Sequence, residues 1–243
     1  KRLKPVVIQK YVFTNLKEVI LTALLFMVFI GGVVIGIRGG LQRRPIDIVN
    51  ASSVTIPEEI PIVLNTPFTL IKSLSQKTLT DYNYYDDAFL KANYTTTHFY
   101  KDSVFKKQNV VVIMLESFAK EYTKIGTDEK LTPFLDSLMD KSLVFTNAYS
   151  NGTKSIEGIP AILCGLPSLM ENPFINSIYA NNAQTSFATI LGKEGYSTAF
   201  FHGGMNGSMN FDDWAPSAGY SQYFGRNEYG NDADFDGFWG IWE

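Results

Sequence analysis

Between Val19 and Ile37 the chain runs for nineteen residues without a charge, VILTALLFMVFIGGVVIGI. At the helical rise this is long enough to cross a hydrocarbon core about 30 Å thick, so it predicts a membrane-spanning helix over residues 19–38. Beyond it the pattern loosens. Residues 39–108 carry scattered Pro and Asn and the polar, tyrosine-rich stretch DYNYYDDAFLKANYTTTHFY, which predicts a connecting arm of short helices and extended pieces. Its portion IVNASSVTIPEEIPIVLNTPFTLIKSL holds enough apolar residues to pack against a neighbouring domain.

From Asn109 the texture changes to alternating units. The apolar run at 110–115 predicts a buried strand, and residues 132–141 a helix with Thr132 as N-cap and Pro133 at its first position. A short strand is expected at 143–147. Next comes a helix from about Ser155 to Cys164, stopped by Gly165 and Pro167. Residues 185–194 read as a further helix ending at Gly195, and YSTAFFHGG as a strand running into a glycine-rich turn. Strands alternating with helices predict an α/β domain, residues 109–243, with helices packed around a mostly parallel sheet.

Charge sets the orientation. Lys1, Arg2, Lys4, Lys10 and Lys17 precede the apolar run, against Arg38, Arg43 and Arg44 after it. Residues 1–18 are therefore expected on the cytoplasmic side and everything after the span outside. The first 38 residues hold six of the 21 basic and one of the 24 acidic residues, which leaves 15 against 23, a net −8, for the remainder. Such an acidic domain has no electrostatic basis for binding nucleic acid. The single cysteine, Cys164, lies in the apolar AILCGL and reads as a small buried hydrophobe with no partner for an internal disulfide. The chain starts at Lys1 and stops within the aromatic DFDGFWGIWE, which reads as a piece of something longer.

Three places carry candidate chemistry. Glu116 ends the apolar run on the side where open α/β sheets gather their functional groups; it either offers its carboxylate to a ligand or caps the next helix. In Asn151-Gly152-Thr153-Lys154-Ser155 a hydroxyl stands at the first turn of a helix, beside backbone N–H groups that an anion can use. It is there as an N-cap or as a nucleophile. His202, in FHGGMNGSMNFDDW, ends a strand at a glycine-rich turn, where an imidazole can face an anionic oxygen or serve as a structural donor. The other histidine, His98, falls in the arm.

The order VVIMLES, then TPFLDSLMDKSLVFTNAYSNGTKSIEGIPAILCGLPSLM, then GYSTAFFHGGMNGSMNFDDW resembles the sulfatase-like transferases of the alkaline phosphatase superfamily. Within that superfamily it resembles especially the lipoteichoic acid synthases and membrane phosphoglycerol transferases, and more distantly the lipid A phosphoethanolamine transferases. The likeness covers about residues 109–242, and the preceding span with GLQRRPIDIVNAS looks like the last transmembrane helix and arm of that family.

The resemblance implies an alkaline-phosphatase-like (sulfatase) α/β sheet flanked by helices, cut short at its C-terminal side and preceded by a transmembrane helix. It places a metal-ligand role on Glu116 and the nucleophile on Ser155, five residues before Pro160, with Thr153 as the competing position. Ser155 would also face the metal, which the family's oxygen and nitrogen ligands make manganese, zinc or magnesium. The family's Asp-His pair lies C-terminal to residue 243. His202, Lys154 and Asn206 are the expected substrate contacts; where relatives carry a Trp and an Arg after the HG turn, Met209 and Phe211 stand here.

The function so implied is metal-dependent transfer of a phosphoglycerol or phosphoethanolamine head group at the outer face of the cell membrane. The donor would be a phospholipid and the acceptor an envelope glycan or lipid, with a covalent intermediate on the hydroxyl. Two other readings share the fold: a sulfatase or phosphodiesterase using water as acceptor, and a non-catalytic envelope protein. The segment KSIEGIP lacks both the Pro and the Arg of the C/S-x-P-x-R signature of classical sulfatases.

Overall fold

The computed structural model describes residues 15–42, 44–74, 78–95, 98–99, 104–237 and 240–241. Lys1, Arg2, Lys4, Lys10 and Arg43 of the orientation argument lie outside the described residues, as do Phe238, Trp239, Trp242 and Glu243 of the aromatic stretch.

The apolar run forms helix α1, Leu16–Arg38, which begins three residues before the uncharged stretch because Asn15 caps it. The Asn15 side chain accepts from the Glu18 N–H at 3.0 Å. Gly39, at φ 83°, ends the helix in the left-handed conformation that glycine adopts without a Cβ penalty. None of its side chains is buried by protein, and its mean hydropathy over eighteen residues is 2.7.

The arm consists of short pieces, as expected. A 3-10 turn at Ile48–Ser53 is followed by α2 (Ile60–Val63), α3 (Thr66–Leu74) and, beyond an extended stretch, α4 (Asp87–Asn93). The first of these docks firmly on the domain. Val49, Ala51 and Ser52 are buried, the Ser52 hydroxyl reaches the Asp213 carbonyl, and the Asn50 amide donates to the Asp213 carboxylate. From the other side Asn181 donates to the Ile48 carbonyl at 2.7 Å. Ile60 is buried as well.

In the domain come α5 (Pro133–Met139), α6 (Ser155–Cys164), α7 (Phe187–Lys193), β1 (Ala199–Phe201), α8 (Phe211–Ser217), β2 (Gln222–Phe224) and α9 (Arg226–Tyr229). β1 and β2 pair in parallel through the α8 crossover, with Phe200 opposite Tyr223. The alternation of side chains along each strand then separates two faces. Phe200 stacks on Tyr223 inside, at 5.9 Å between ring centroids, and Phe201 on Phe224 outside, at 4.8 Å. The core gathers on the inner face: Ile156, Ile159 and Leu163 of α6, Ile175, Phe200, and Phe211, Trp214, Ala215 and Ala218 of and after α8.

Helix ends obey their local chemistry. Ser186 and Thr189 cap α7 reciprocally, and Gly195, at φ 82°, closes it. α6 covers the expected residues and ends at Gly165, φ 65°. At α5 Pro133 takes the first position and Thr132 is the N-cap residue, but its side chain makes no capping bond; the hydroxyl donates to the Tyr122 carbonyl at 2.9 Å instead.

Two expected strands do not form. Residues 110–115 run without regular pairing, with Val111 and Ile113 79% and 77% exposed, and residues 143–147 form coil and turn. Among the described residues the two strands of the sheet pair only with each other. A strand is defined by a ladder partner, and an apolar run supplies side chains but no partner.

Candidate active site

The segment that delivers Glu116 is held at its beginning and near its end. Lys107 Nζ donates to the Glu194 carbonyl at 2.9 Å, and Gln108 exchanges two 3.0 Å hydrogen bonds with the Tyr196 hydroxyl. Met114 then packs over α6 at Gly158: a Cβ there would stand 3.8 Å from the Met114 methyl. Directly after Glu116, Ser117 takes φ 51°, a left-handed conformation costly for a residue with a side chain, by about 1–3 kcal/mol.

The loop before α6 folds back tightly on the helix. At Gly152 a Cβ would come within 2.7 Å of the Glu157 Cβ and 2.8 Å of the Gly158 nitrogen, so glycine is required for that approach. Asn151 accepts from the Ser168 N–H. Thr153 donates to Glu157 from its N–H at 2.9 Å and from its hydroxyl at 3.1 Å. These bonds, the Thr153 N–H first among them, hold the Glu157 carboxyl below the usual range against an opposing contribution from burial. Lys154 is the N-cap residue, and its carbonyl accepts from the Glu157 and Gly158 N–H groups at 2.9 Å. The Ser155 and Ile156 N–H groups therefore open the helix without intrahelical partners, at the positive end of its dipole.

Here the two segments meet. The Ser155 hydroxyl donates to Glu116 Oε2, while the Ser117 hydroxyl donates to Oε1 at 3.2 Å. Both carboxylate oxygens thus face a hydroxyl, and a proton lies where the Glu116 and Ser155 oxygens converge. In donor chemistry this juxtaposition of a carboxylate with an ionisable hydroxyl fits a hard or borderline divalent cation. Among the described residues no three His, Cys, Asp or Glu side chains gather in a metal-holding group; Glu116 and Ser155 are the two oxygen donors that the fold brings together here.

His202 leaves the end of β1, where its N–H donates to the Phe224 carbonyl at 2.9 Å. Its ring meets Phe211 edge-on at 5.0 Å, and Nδ1 lies 3.3 Å from the Tyr223 hydroxyl. Burial lowers its pKa, with the negative charges of Asp212 and then Glu116 pulling the other way, so the imidazole is electrostatically coupled to Glu116 without bonding to it. Burial also raises the Tyr223 hydroxyl well above its ordinary value.

The remaining expected residues divide. Lys154, exposed, adjoins Ser155 in the chain. Thr153 is committed to Glu157, and Asn206 spends its amide on α9 itself: Nδ2 donates to both Glu228 oxygens at 3.2 and 3.0 Å, and Oδ1 accepts from Asn227 N–H. Phe211 is buried, 1% exposed, and Met209, half-buried, packs against the core. Ser117, Glu157 and Tyr223 are not singled out by the sequence. A Thr just before a helix with Glu in the first turn is the signal that could have pointed to Glu157; Tyr223 carries none, because only strand pairing brings it to His202.

A protein-family model described as Sulfatase matches residues 108–241. Lipoteichoic acid synthase 1 of Bacillus subtilis (strain 168) is 29% identical over 161 residues, which is 59% of this chain and 24% of that protein. The chain thus spans about a quarter of the length of this curated relative. Two solved structures are similar. One is a protein in the alkaline phosphatase superfamily from Vibrio parahaemolyticus, 30% identical, with a TM-score of 0.43 over 46% of this chain and 27% of that one. The other is the lipoteichoic acid synthase LtaP from Listeria monocytogenes, 22% identical, with a TM-score of 0.40 over 43% and 26%.

Proposed function

The chain belongs to the sulfatase family, and from that premise we propose that it is the membrane-proximal part of a metal-dependent phosphotransferase. Its substrate is a phospholipid whose phosphoglycerol-type or phosphoethanolamine head group passes to an envelope glycan or lipid. The work takes place outside the cytoplasm. The observation that carries this reading is the Ser155 hydroxyl, at the first turn of α6, donating directly to the Glu116 carboxylate.

Enzymes of this superfamily generally depend on divalent metals, and Glu116 and Ser155 are the residues that would hold one here, of manganese, zinc or magnesium type. Bound there, such an ion would lower the hydroxyl pKa and offset charge on the transferred phosphoryl group. The chain's own residues carry the two steps. Ser155 Oγ, held by Glu116 and stripped of its proton, forms a bond to phosphorus as the bond from phosphorus to the diacylglycerol oxygen breaks; that oxygen leaves with a proton. An acceptor hydroxyl then bonds to the same phosphorus, the Ser155 Oγ–P bond breaks, and the acceptor's proton restores the serine.

The N–H groups of Ser155 and Ile156 stabilise charge on the non-bridging oxygens. His202, with Nδ1 beside the Tyr223 hydroxyl, turns Nε2 to a phosphate oxygen, and Lys154 adds positive charge. With Met209 and Phe211 packed inward, the head group is held without the Trp and Arg contacts of the relatives.

In the full-length protein Ser155→Ala is expected to reduce transfer by at least about a thousandfold with the folded state intact. Thr153→Ala should leave most of it. Mass spectrometry should place a phosphoglycerol or phosphoethanolamine adduct on the Ser155 peptide. Undiminished transfer by Ser155→Ala removes Ser155 from the mechanism.

A further inference from the structure

Immediately beyond α1 the chain turns back on itself. The Ile46 N–H donates to the carbonyl of Arg38, the last helical residue, at 2.9 Å, and the Arg38 guanidinium closes the loop on the Gln42 carbonyl at 2.8 Å. Asp47, next along, pairs with Lys72 of α3 at 3.5 Å. Two short contacts therefore tie α3 to the outer end of the apolar helix.

α3 is amphipathic, and its two sides do different things. At 100° per residue Pro67, Leu70, Ile71 and Leu74 share one side, while Lys72 lies across from them with Thr69. Since Lys72 turns inward to Asp47, the apolar side turns away from the protein. Leu70, Ile71 and Leu74 are 62%, 68% and 82% exposed, and Ile62 of the preceding α2 is 85% exposed. α2 is itself anchored on its other side by buried Ile60.

We infer that α3, with Ile62 of α2, lies in the outer interface of the membrane that α1 crosses, its Leu70, Ile71 and Leu74 side chains among the lipid acyl chains. The tether identifies the occupant of this face. A helix held at the level where a membrane span ends, with an uncharged apolar side and its lysine on the opposite side, meets the shallow apolar layer beneath the headgroups. The arm then has two attachments. Its 3-10 turn holds the catalytic domain through Asp213, and α3 holds the lipid, which fixes the height of the Ser155 site above the surface. This inference rests on α1 spanning the bilayer, and on the proposed activity only for its consequence.

The test is spin labelling of the full-length protein in phosphatidylglycerol/phosphatidylcholine vesicles. Single labels are placed at Leu70→Cys, Ile71→Cys, Leu74→Cys, Thr69→Cys and Ser73→Cys on a Cys164→Ala background, with Leu25→Cys in α1 as reference. At 70, 71 and 74 collisions with oxygen should exceed those with an aqueous nickel chelate; at 69 and 73 the order should reverse. As a cysteine-independent readout, fluorescence of Leu74→Trp should be quenched by brominated lipid. Aqueous values at 70, 71 and 74 with a lipid-exposed label at 25 overturn the inference and leave the anchor standing. Aqueous values at 25 as well overturn both. Labels at 70, 71 and 74 shielded from both reagents mean that protein covers the face, which also overturns it.

Discussion

Ser155 and Glu116 touch, yet the regions that deliver them are held by different means. Ser155 opens a helix whose Ile156, Ile159 and Leu163 are buried with Phe200, Phe211 and Trp214. Glu116 ends a run in which every residue from 110 to 115 is exposed. It is located by a pair of hydroxyls, the Met114 contact at Gly158 and the anchors at Lys107 and Gln108. Packing sets the hydroxyl, and hydrogen bonds set the carboxylate. The site is therefore asymmetric in stiffness: a ligand shared by the two residues would order the Glu116 segment far more than α6.

The largest test of that contrast is a pair of truncations. Trp214→Ala removes a fully buried ring and its 3.1 Å bond to Gln184, and should cost about 3–5 kcal/mol in chemical denaturation. Ile113→Ala, at 77% exposure, should stay within about 0.5 kcal/mol. Equal losses would erase the distinction.

A smaller effect probes how the arm reinforces the stiff side. Ser52→Ala leaves the Asp213 and Val49 carbonyls without the buried Ser52 hydroxyl, for about 1 kcal/mol, and should speed proteolysis within residues 54–74. An unchanged cleavage pattern would mean that the arm docks through its apolar residues alone.

The mildest comparison leaves stability untouched and reads thiol chemistry. Burial pushes the Cys164 thiol up to about 11, so at pH 8 about one thiol in a thousand is ionised. Native Cys164 should alkylate slowly with iodoacetamide, its rate rising about tenfold per pH unit from 8 to 10, and react quickly once unfolded. A cysteine introduced at Ile113 should react quickly in the native state and level off near the ordinary thiol value. Fast, early-levelling alkylation of native Cys164 would show that α6 is packed too loosely to be the stiff partner of the site.

Legibility depended on the kind of signal. α1 and α6 could be placed from the chain because their signals are local: a long uncharged run, and a hydroxyl start with a glycine stop. The 110–115 and 143–147 runs carried side chains suited to a strand and no information about a partner, and they remained unpaired. At the site, the hydroxyl position could be read from a helix start, whereas its pairing with Glu116 rested on family resemblance. Asn206 shows the limit of such transfer: a plausible contact by position, it is spent on Glu228 and the Asn227 N–H.

By itself the sequence determined the apolar helix, the places of α5, α6 and α7, and the placing of chemistry-bearing residues at segment ends; α8 and α9 it did not announce. Each depends on residues within a few positions of one another, whose spacing the covalent chain preserves. Only the tertiary structure decided that Ser155 reaches Glu116 across thirty-nine residues, that His202 is buried against Phe211 and Tyr223, and that the arm grips Asp213. Those contacts exist because side chains distant in the chain must share one core and satisfy one another's polar groups, and no local pattern encodes which ones will meet.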